Sequence, residues 1–292
     1  MVAGLSGFTL VRNAVRLDYP IVPAIRSLLE VCDEVVVNVG RSDDDTRGLV
    51  TGIGDPRVRV LDTEWDFSRG SEVLAIETQR ALDACRGRWG LYIQADEVLH
   101  QDGAASIARA VAECEADARV EGLLVNYLHF YGGFDTIATS RRWYRREVRC
   151  VRLGAGVRSY RDAQGFRVGP ERRRVAARPT DAVMFHYGWA TSAEATHQKH
   201  EAAKAIYSWA ESRARIERAQ ARGDLEWVPL LRPFTGEHPR AAREWIAGRA
   251  HRARGRIGPR DFRLDYLRTY LSDWIERATG HRLFEYRNYR VV

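Results

Sequence analysis

Along the first 120 or so residues the apolar positions follow two alternating periods. Short apolar runs at Phe8-Thr-Leu-Val11, Glu34-Val-Val-Val-Asn-Val39, Val58-Arg-Val-Leu61 and Trp89-Gly-Leu-Tyr-Ile93 have the length and continuity of strands covered on both faces. Between them, Ile21, Ile25, Leu28 and Leu29 are spaced to share one helical face, and Val73 to Cys85 repeats the pattern with Leu74, Ile76 and Leu82 among alanines. Strands and helices that alternate at intervals of roughly 25 residues predict right-handed βαβ units and a doubly wound parallel sheet.

Farther on, Ile107 to Ala118 reads as another helix and Glu121 to Tyr131 as a long strand that ends at Gly132-Gly133. The rhythm then breaks. Residues Arg141 to Arg152 alternate polar and apolar toward their end, which predicts an antiparallel or mixed addition to the sheet. An apolar run, Val183-Met-Phe185, leads into His186-Tyr-Gly-Trp189. From Ser192 to about Ala221 the pattern is helical and highly charged, and from Arg240 onward it is helical again, with Trp245, Tyr266, Leu267, Tyr270, Leu271 and Trp274. The Pro and Gly cluster from Pro229 to Pro239 marks the candidate boundary before this last part.

Composition narrows the class. At 292 residues, with 45% hydrophobic and 29% charged, the chain has the make-up of a globular protein with a substantial core. A net charge of +7 suits an anionic partner: nucleotide phosphates, nucleic acid or a membrane surface. Arginine supplies nearly all of it, since Lys199 and Lys204 are the lysines of the chain. Cys32, Cys85, Cys114 and Cys150 are scattered without C-x-x-C spacing, which predicts buried thiols in a reducing compartment and argues against zinc. No basic leader and no apolar stretch long enough to span a bilayer is present in the sequence, so a cytoplasmic location is expected.

The candidate chemistry lies where strands end. The run Leu91-Tyr-Ile93 gives way at once to Gln94-Ala-Asp-Glu97. In an open α/β sheet, ligands bind beyond the carboxyl ends of the strands. Two adjacent hard oxygen donors there suit a divalent cation that carries phosphates, against the plainer reading of an exposed acidic turn. The loop Gly40-Arg-Ser-Asp-Asp-Asp-Thr46 leaves the second strand on the same edge, where carboxylates can hold ribose hydroxyls or base amides. There is no phosphate-binding glycine loop and no G-x-G-x-x-G, so kinase, ATPase and dinucleotide readings lack support. What remains is a nucleotide fold that handles a diphosphate with a metal and arginines.

Taken in order, the opening strand with Val11-Arg-Asn13, the loop from Gly40 to Thr46, Gln94-Ala-Asp-Glu97 and His186-Tyr-Gly-Trp189 resemble family 2 glycosyltransferases of the GT-A fold. The nearest resemblance is to the lipopolysaccharide-core type, whose strand ends in an Asp-Ala-Asp-Glu-like motif. Tyr144-Arg-Arg146 and Lys199 fall where that pattern wants them, and the resemblance covers roughly residues 6 to 207. It implies a GT-A (Rossmann-like), mostly parallel α/β sheet flanked by helices, with a C-terminal helical extension. Residues 1–190 would form the catalytic domain, with a nucleotide-sugar half (1–120) and an acceptor half (121–190), and 191–292 the extension.

The activity so implied is transfer of a sugar from a nucleotide-diphosphate donor, UDP-linked by default, to an acceptor hydroxyl, assisted by Mn²⁺ or Mg²⁺ and with inversion. Asp96, Glu97 and His186 are the expected metal ligands. Arg12, Asn13, Asp43, Asp44, Gln94, Arg142 and Arg146 are the expected donor contacts. Gln94 departs from the family's first acid and is a poorer metal ligand than a carboxylate. Asp162 is preferred to Asp135 and Glu97 as the base that takes the acceptor proton. The aromatics Tyr127, Phe130, Tyr131, Trp143 and Tyr144 offer an acceptor platform or core packing. For the basic run from Arg240 to Arg260, a membrane surface, a dimer interface and a solvated helix face all stay open. The rival readings are a sugar nucleotidyltransferase, which lacks its basic glycine-rich signature here, and a nucleic-acid-binding protein, which charge alone suggests.

Overall fold

Strand β1 (Leu5–Val11) is buried at every residue, as a strand with both faces covered must be. Its Leu5 and Val11 join the cluster built on helix α1 (Ile21–Leu29), while Phe8 and Leu10 join the opposite cluster with Ala81 and Leu82 of helix α3 (Glu72–Asp83). Strand β2 (Glu34–Gly40) divides in the same way, with Val35, Val37 and Val39 on the α1 side and Val36 on the other. Such two-sided burial explains why the sequence shows continuous apolar runs and no alternation. The computed structural model describes residues 4–207, 228–249, 264–283 and 285–292. The helical pattern expected over 208–221 and the basic run over 250–260 lie outside them.

β1 pairs in parallel with β2 and with β4 (Trp89–Tyr92), and β2 with β3 (Val58–Thr63); helix α2 (Thr46–Thr51) follows β2. The order 3-2-1-4 is the α/β half foreseen from periodicity. Beyond β4 the sheet is mixed. Strand β8 (Arg146–Arg152) inserts antiparallel between β4 and β6 (Gly122–Tyr131), as the alternation in that segment predicts. β11 (Arg173–Trp189) runs parallel to β6, and its register breaks between Pro179 and Val183, where proline cannot donate to the ladder. β5 (Glu97–Leu99) lies antiparallel on the end of β11, and the hairpin β9 (Val157–Tyr160)–β10 (Gly165–Val168) extends the far edge.

Helix α4 (Gln101–Cys114) begins ahead of the expected Ile107 and ends before Ala118. The His100 ring caps its start by accepting the Asp102 N–H at 3.4 Å. Its end is closed by Arg152, which donates to the carbonyls of Cys114, Glu115, Asp117 and Val120. The C-terminal part carries helices α5 (Ala193–Ile206), α6 (Arg243–Ala247) and α7 (Leu267–Thr279). It also returns to the sheet: β12 (Leu231–Pro233) pairs with β7 (Thr136–Ala138), and β13 (Tyr289–Val291) with β11. Between Pro229 and Pro239, Phe234 and His238 pack on Phe130 and Phe185. Cys32, Cys114 and Cys150 are buried thiols and Cys85 is half-buried. Among the described residues no helix is long and apolar enough to cross a membrane.

Glu147 on β8 is buried, with a hydrogen bond from Gln164 at 3.2 Å and Asn288 beside it. Burial pushes its carboxyl up to about 7, partly offset by Arg149 and Gln164. A folded-state value above the unfolded one contributes stability that is full below the unfolded value and lost as the pH rises through the folded one. Glu147→Gln should therefore gain on the parent protein between pH 4.5 and pH 8, by on the order of 3 kcal/mol. Urea unfolding at both pH values measures this, and a pH-independent difference would contradict it.

Candidate active site

β4 ends at Tyr92, and the turn Gln94-Ala-Asp96 carries the chain into β5, closed by the Glu97 N–H donating to Gln94 O at 3.0 Å. The turn is tied to the end of β11, where the Tyr187 N–H donates to Asp96 O at 2.8 Å and His186 lies in register with Glu97. This brings Asp96 Oδ2 to 3.4 Å from His186 Nε2. Burial works to raise the Asp96 carboxyl, but His186 and Lys199 beside it hold it below the usual carboxylate range. Lys199 reaches in from α5, donates to Gly188 O at 3.0 Å and sits 4.5 Å from the centre of the Tyr19 ring. Its burial lowers the ammonium to about 8 against the pull of Asp96 and Asp18. A Cβ on Gly188 would overlap Asp96 Oδ2 and lie 2.7 Å from His186 Nε2, so the absence of a side chain there keeps open the space in front of both.

A buried histidine behind the pair fixes the imidazole's tautomer. His129 Nε2 is 2.7 Å from Tyr144 O, and His129 Nδ1 is 3.1 Å from His186 Nδ1. Burial and the neighbouring His186 push His129 down to about 3, so it is neutral near pH 7. Since a carbonyl only accepts, His129 Nε2 carries the proton and its Nδ1 accepts from His186 Nδ1–H. In neutral His186 the lone pair then lies on Nε2, on the side of Asp96. This arrangement suits a metal-ligating histidine held by a second hydrogen bond.

Glu97, expected as a ligand, is turned into the core. Its side chain and that of Arg149 are 0% exposed and paired at 2.8 Å and 3.1 Å. The Tyr127 hydroxyl at 2.8 Å and the Gln94 N–H at 3.0 Å take further lone pairs. Arg149 also donates to Gln164 O and lies between the Tyr92 and Tyr127 rings, 5.3 Å and 5.2 Å from their centres. The alternation of β5 and β8 directs these two side chains inward, and full pairing satisfies them there. Glu97 thus braces the turn that presents Asp96.

Gln94 and Asp162 come to the same place. Gln94 Nε2 reaches Ala163 O at 3.5 Å, so the Tyr160–Gln164 turn abuts the end of β4. Asp162 is half-buried between Arg161 and Ala163, both with positive φ (58° and 61°), and hydrogen-bonds Tyr207. Tyr207 in turn senses the charge of Asp96, as does Tyr19.

Arg12, Asn13, Asp43 and Asp44 form a lattice between the loops after β1 and β2. Asn13 donates to Asp43 Oδ2 at 3.1 Å and accepts from the Asp43 N–H at 2.8 Å, and Arg12 pairs with Asp43 at 3.4 Å. Asp44 accepts from the Arg16 N–H at 2.8 Å, and the Arg16 guanidinium donates to Gln198, one residue before Lys199. The lattice leaves the Asp43 side chain 64% exposed.

Arg142 and Arg146 do not join this cluster. Arg142 lies 5.6 Å from the centre of the Tyr266 ring, and Arg146 is exposed and donates to Asn126 Oδ1 at 2.9 Å. Tyr144 takes the inward position between them, and Arg145 pairs with Glu276 and Glu285. Arg142 and Arg146, expected as donor contacts, thus make their contacts away from the Asp96–His186 pair. Of the aromatics, Tyr127, Phe130 and Tyr131 are buried and Trp143 and Tyr144 half-buried; Tyr131 and Trp143 pack beside the exposed Trp189.

Among the described residues no three His, Cys, Asp or Glu side chains are gathered for a metal. Asp96 and His186 supply two donors, with their near atoms 3.4 Å apart. Adjacent ligands of an octahedral ion at about 2.1 Å lie roughly 3 Å apart, and Mg²⁺-like ions take their remaining ligands from water and phosphate. The pair and the open space at Gly188 fit such an ion. His129 and Arg149 escaped the sequence reading. Lys199 was placed there by family pattern alone, although one of two lysines in an arginine-rich chain is itself a signal.

No protein-family model and no curated protein matches the chain. Solved structures that match in part include S. aureus TarS 1–349 in complex with UDP, at 20% identity over 46% of this chain and 36% of that one, with a TM-score of 0.33. The mannosyltransferase PcManGT from Pyrobaculum calidifontis, in complex with GDP-Man and Mn²⁺, matches at 22% identity over 44% of this chain and 36% of that one, TM-score 0.34. Glucosyl-3-phosphoglycerate synthase from Mycobacterium tuberculosis matches at 16% identity over 44% and 45%, TM-score 0.30. The match spans less than half the length of each of these chains.

Proposed function

We propose that the protein transfers a sugar from a nucleotide-diphosphate donor to an acceptor hydroxyl on a GT-A-type fold, in the manner of the family 2, lipopolysaccharide-core type that its motifs resemble. The observation that carries this reading is the Asp96–His186 pair beside Lys199, set at the carboxyl end of β4 and next to the loops that follow β1 and β2. Asp96 Oδ2 and His186 Nε2 would hold Mn²⁺ or Mg²⁺, and the bound ion supplies positive charge against the leaving diphosphate. The Lys199 ammonium adds a second, fixed charge at the same point. Gln94 offers an amide to a sugar or ribose hydroxyl, and the exposed carboxylate of Asp43 faces outward for the nucleoside. The exposed Trp189 and the half-buried Trp143 would provide ring faces for an acceptor sugar.

Asp162 is the proton acceptor in this proposal. As the acceptor oxygen bonds to the anomeric carbon, the bond to the diphosphate oxygen breaks and the hydroxyl proton passes to the Asp162 carboxylate, with inversion. Asp162→Asn should lower kcat by about 10²–10⁴ while nucleotide binding is kept; steady-state kinetics with an unchanged kcat would remove Asp162 from the mechanism. The function itself is tested by thermal unfolding with UDP, GDP, CDP or dTDP, each with and without Mn²⁺. A ligand that binds the native state raises Tm. At least one nucleotide should do so, and more with Mn²⁺; no shift with any of the four would refute the reading.

A further inference from the structure

A groove of about 660 Å³ opens between the start of α3 and the β9–β10 hairpin. Arg69, Arg158, Arg161, Arg167 and Arg172 line it against a single carboxylate, Glu72. Two of the five are structurally committed. Arg167 is buried and donates to Phe166 O and to both oxygens of Asn288, and Arg69 faces Glu72 at 3.4 Å in an exposed pair. Arg161 lies beside the Tyr160 ring, 5.1 Å from its centre, hydrogen-bonds the Tyr160 side chain and faces the Asp162 carboxylate. Arg158 and Arg172 are exposed and make no side-chain hydrogen bond or ion pair among the described residues.

Solvent screens the repulsion among these exposed guanidinium groups, and an anion entering the groove would find several of them within reach. Planar guanidinium forks match phosphate oxygens two at a time. The groove also adjoins the chemistry. Arg161 directly precedes Asp162, and the next carbonyl, Ala163 O, receives Gln94.

We propose that this groove binds a phosphate group of the acceptor, with Arg158, Arg161 and Arg172 as its ligands, so that the acceptor substrate is phosphate-bearing. The acceptor role rests on the transferase reading above; the phosphate site rests on the groove alone. The phosphate belongs either to a soluble sugar phosphate or to a lipid headgroup.

The test is calorimetric titration of the full chain with inorganic tripolyphosphate, on the parent protein and on Arg158→Glu/Arg172→Glu. Circular dichroism and Tm verify the fold of the variant, and Arg158→Ala/Arg172→Ala serves as a milder second one. Nucleotide thermal shifts are measured in parallel. Salt-sensitive binding should fall by about tenfold or more in the charge-reversed variant, as loss of charge-assisted hydrogen bonds requires, while the nucleotide shift is retained. Equal tripolyphosphate affinity in parent and both variants would overturn the proposal. Loss of tripolyphosphate binding in the variant, with no nucleotide shift in either protein, would sustain the phosphate site and refute the transferase reading instead. Sedimentation with phosphatidylglycerol vesicles separates the sources: arginine-dependent co-sedimentation assigns a lipid headgroup, and tripolyphosphate binding without it assigns a soluble phosphate.

Discussion

Arg149→Met is expected to destabilise the fold by about 3–5 kcal/mol, the cost of leaving a buried partner charge uncompensated. Glu97 would then sit in a fully buried position with the Tyr127 hydroxyl and the Gln94 N–H as its remaining donors. Three strands meet at this pair: β5 through Glu97, β8 through Arg149, and β6 through Tyr127. The turn with Asp96 hangs from the first of them, so loosening the pair should also weaken nucleotide binding. The double variant Arg149→Met/Glu97→Leu removes both charges, and should recover most of the loss, since apolar replacement of a buried pair is often neutral. Chemical unfolding of the two variants measures both effects. An Arg149→Met protein as stable as the parent would contradict the buried pairing of Glu97 with Arg149.

Asp96→Asn is expected to leave the fold intact and reduce kcat/KM for transfer by about 10²–10³, the scale on which a single stabilising group aimed at developing charge acts. Asparagine fills the same volume and keeps the backbone bond to Tyr187, but loses the charge that His186 and Lys199 surround. His186→Ala should act in the same direction and shift the activity to higher metal concentrations. The two losses should not add, because both residues serve one ion. Steady-state kinetics across a metal titration decides the matter. Independent, additive losses, or a His186→Ala enzyme with the parent's metal dependence, would show that the residues act apart.

The strands of the α/β half were legible because burial on both faces leaves a mark on every residue of β1, β2 and β4. The inserted β8 was legible too, through its alternation. The three-residue strands β7, β12 and β13 were not, since so short a segment has no measurable period and its pairing is decided by residues far away in sequence. The start of α4 was obscured because its first turns pack small residues, Gly103 and Ala104, and periodicity scores large ones.

At the site, Asp96 and His186 were singled out because each follows an apolar run, and the structure brings them within 3.4 Å of each other. Glu97 carried the same signal and proved to be structural, because a strand end does not say on which face a residue emerges. Arg149 was hidden among other arginines, and nothing local marks the one that points inward. His129 sat in an apolar strand, where a buried histidine gives no sign of its partner.

The most direct test of the central claim is the binding of Mn²⁺ itself, followed by electron paramagnetic resonance in the presence of the nucleotide that gives the largest thermal shift. The parent protein should bind one Mn²⁺ with nucleotide present, and Asp96→Asn and His186→Ala should each bind it at least about tenfold more weakly, as loss of a ligand or its support requires. Undiminished Mn²⁺ binding in both variants would contradict the account.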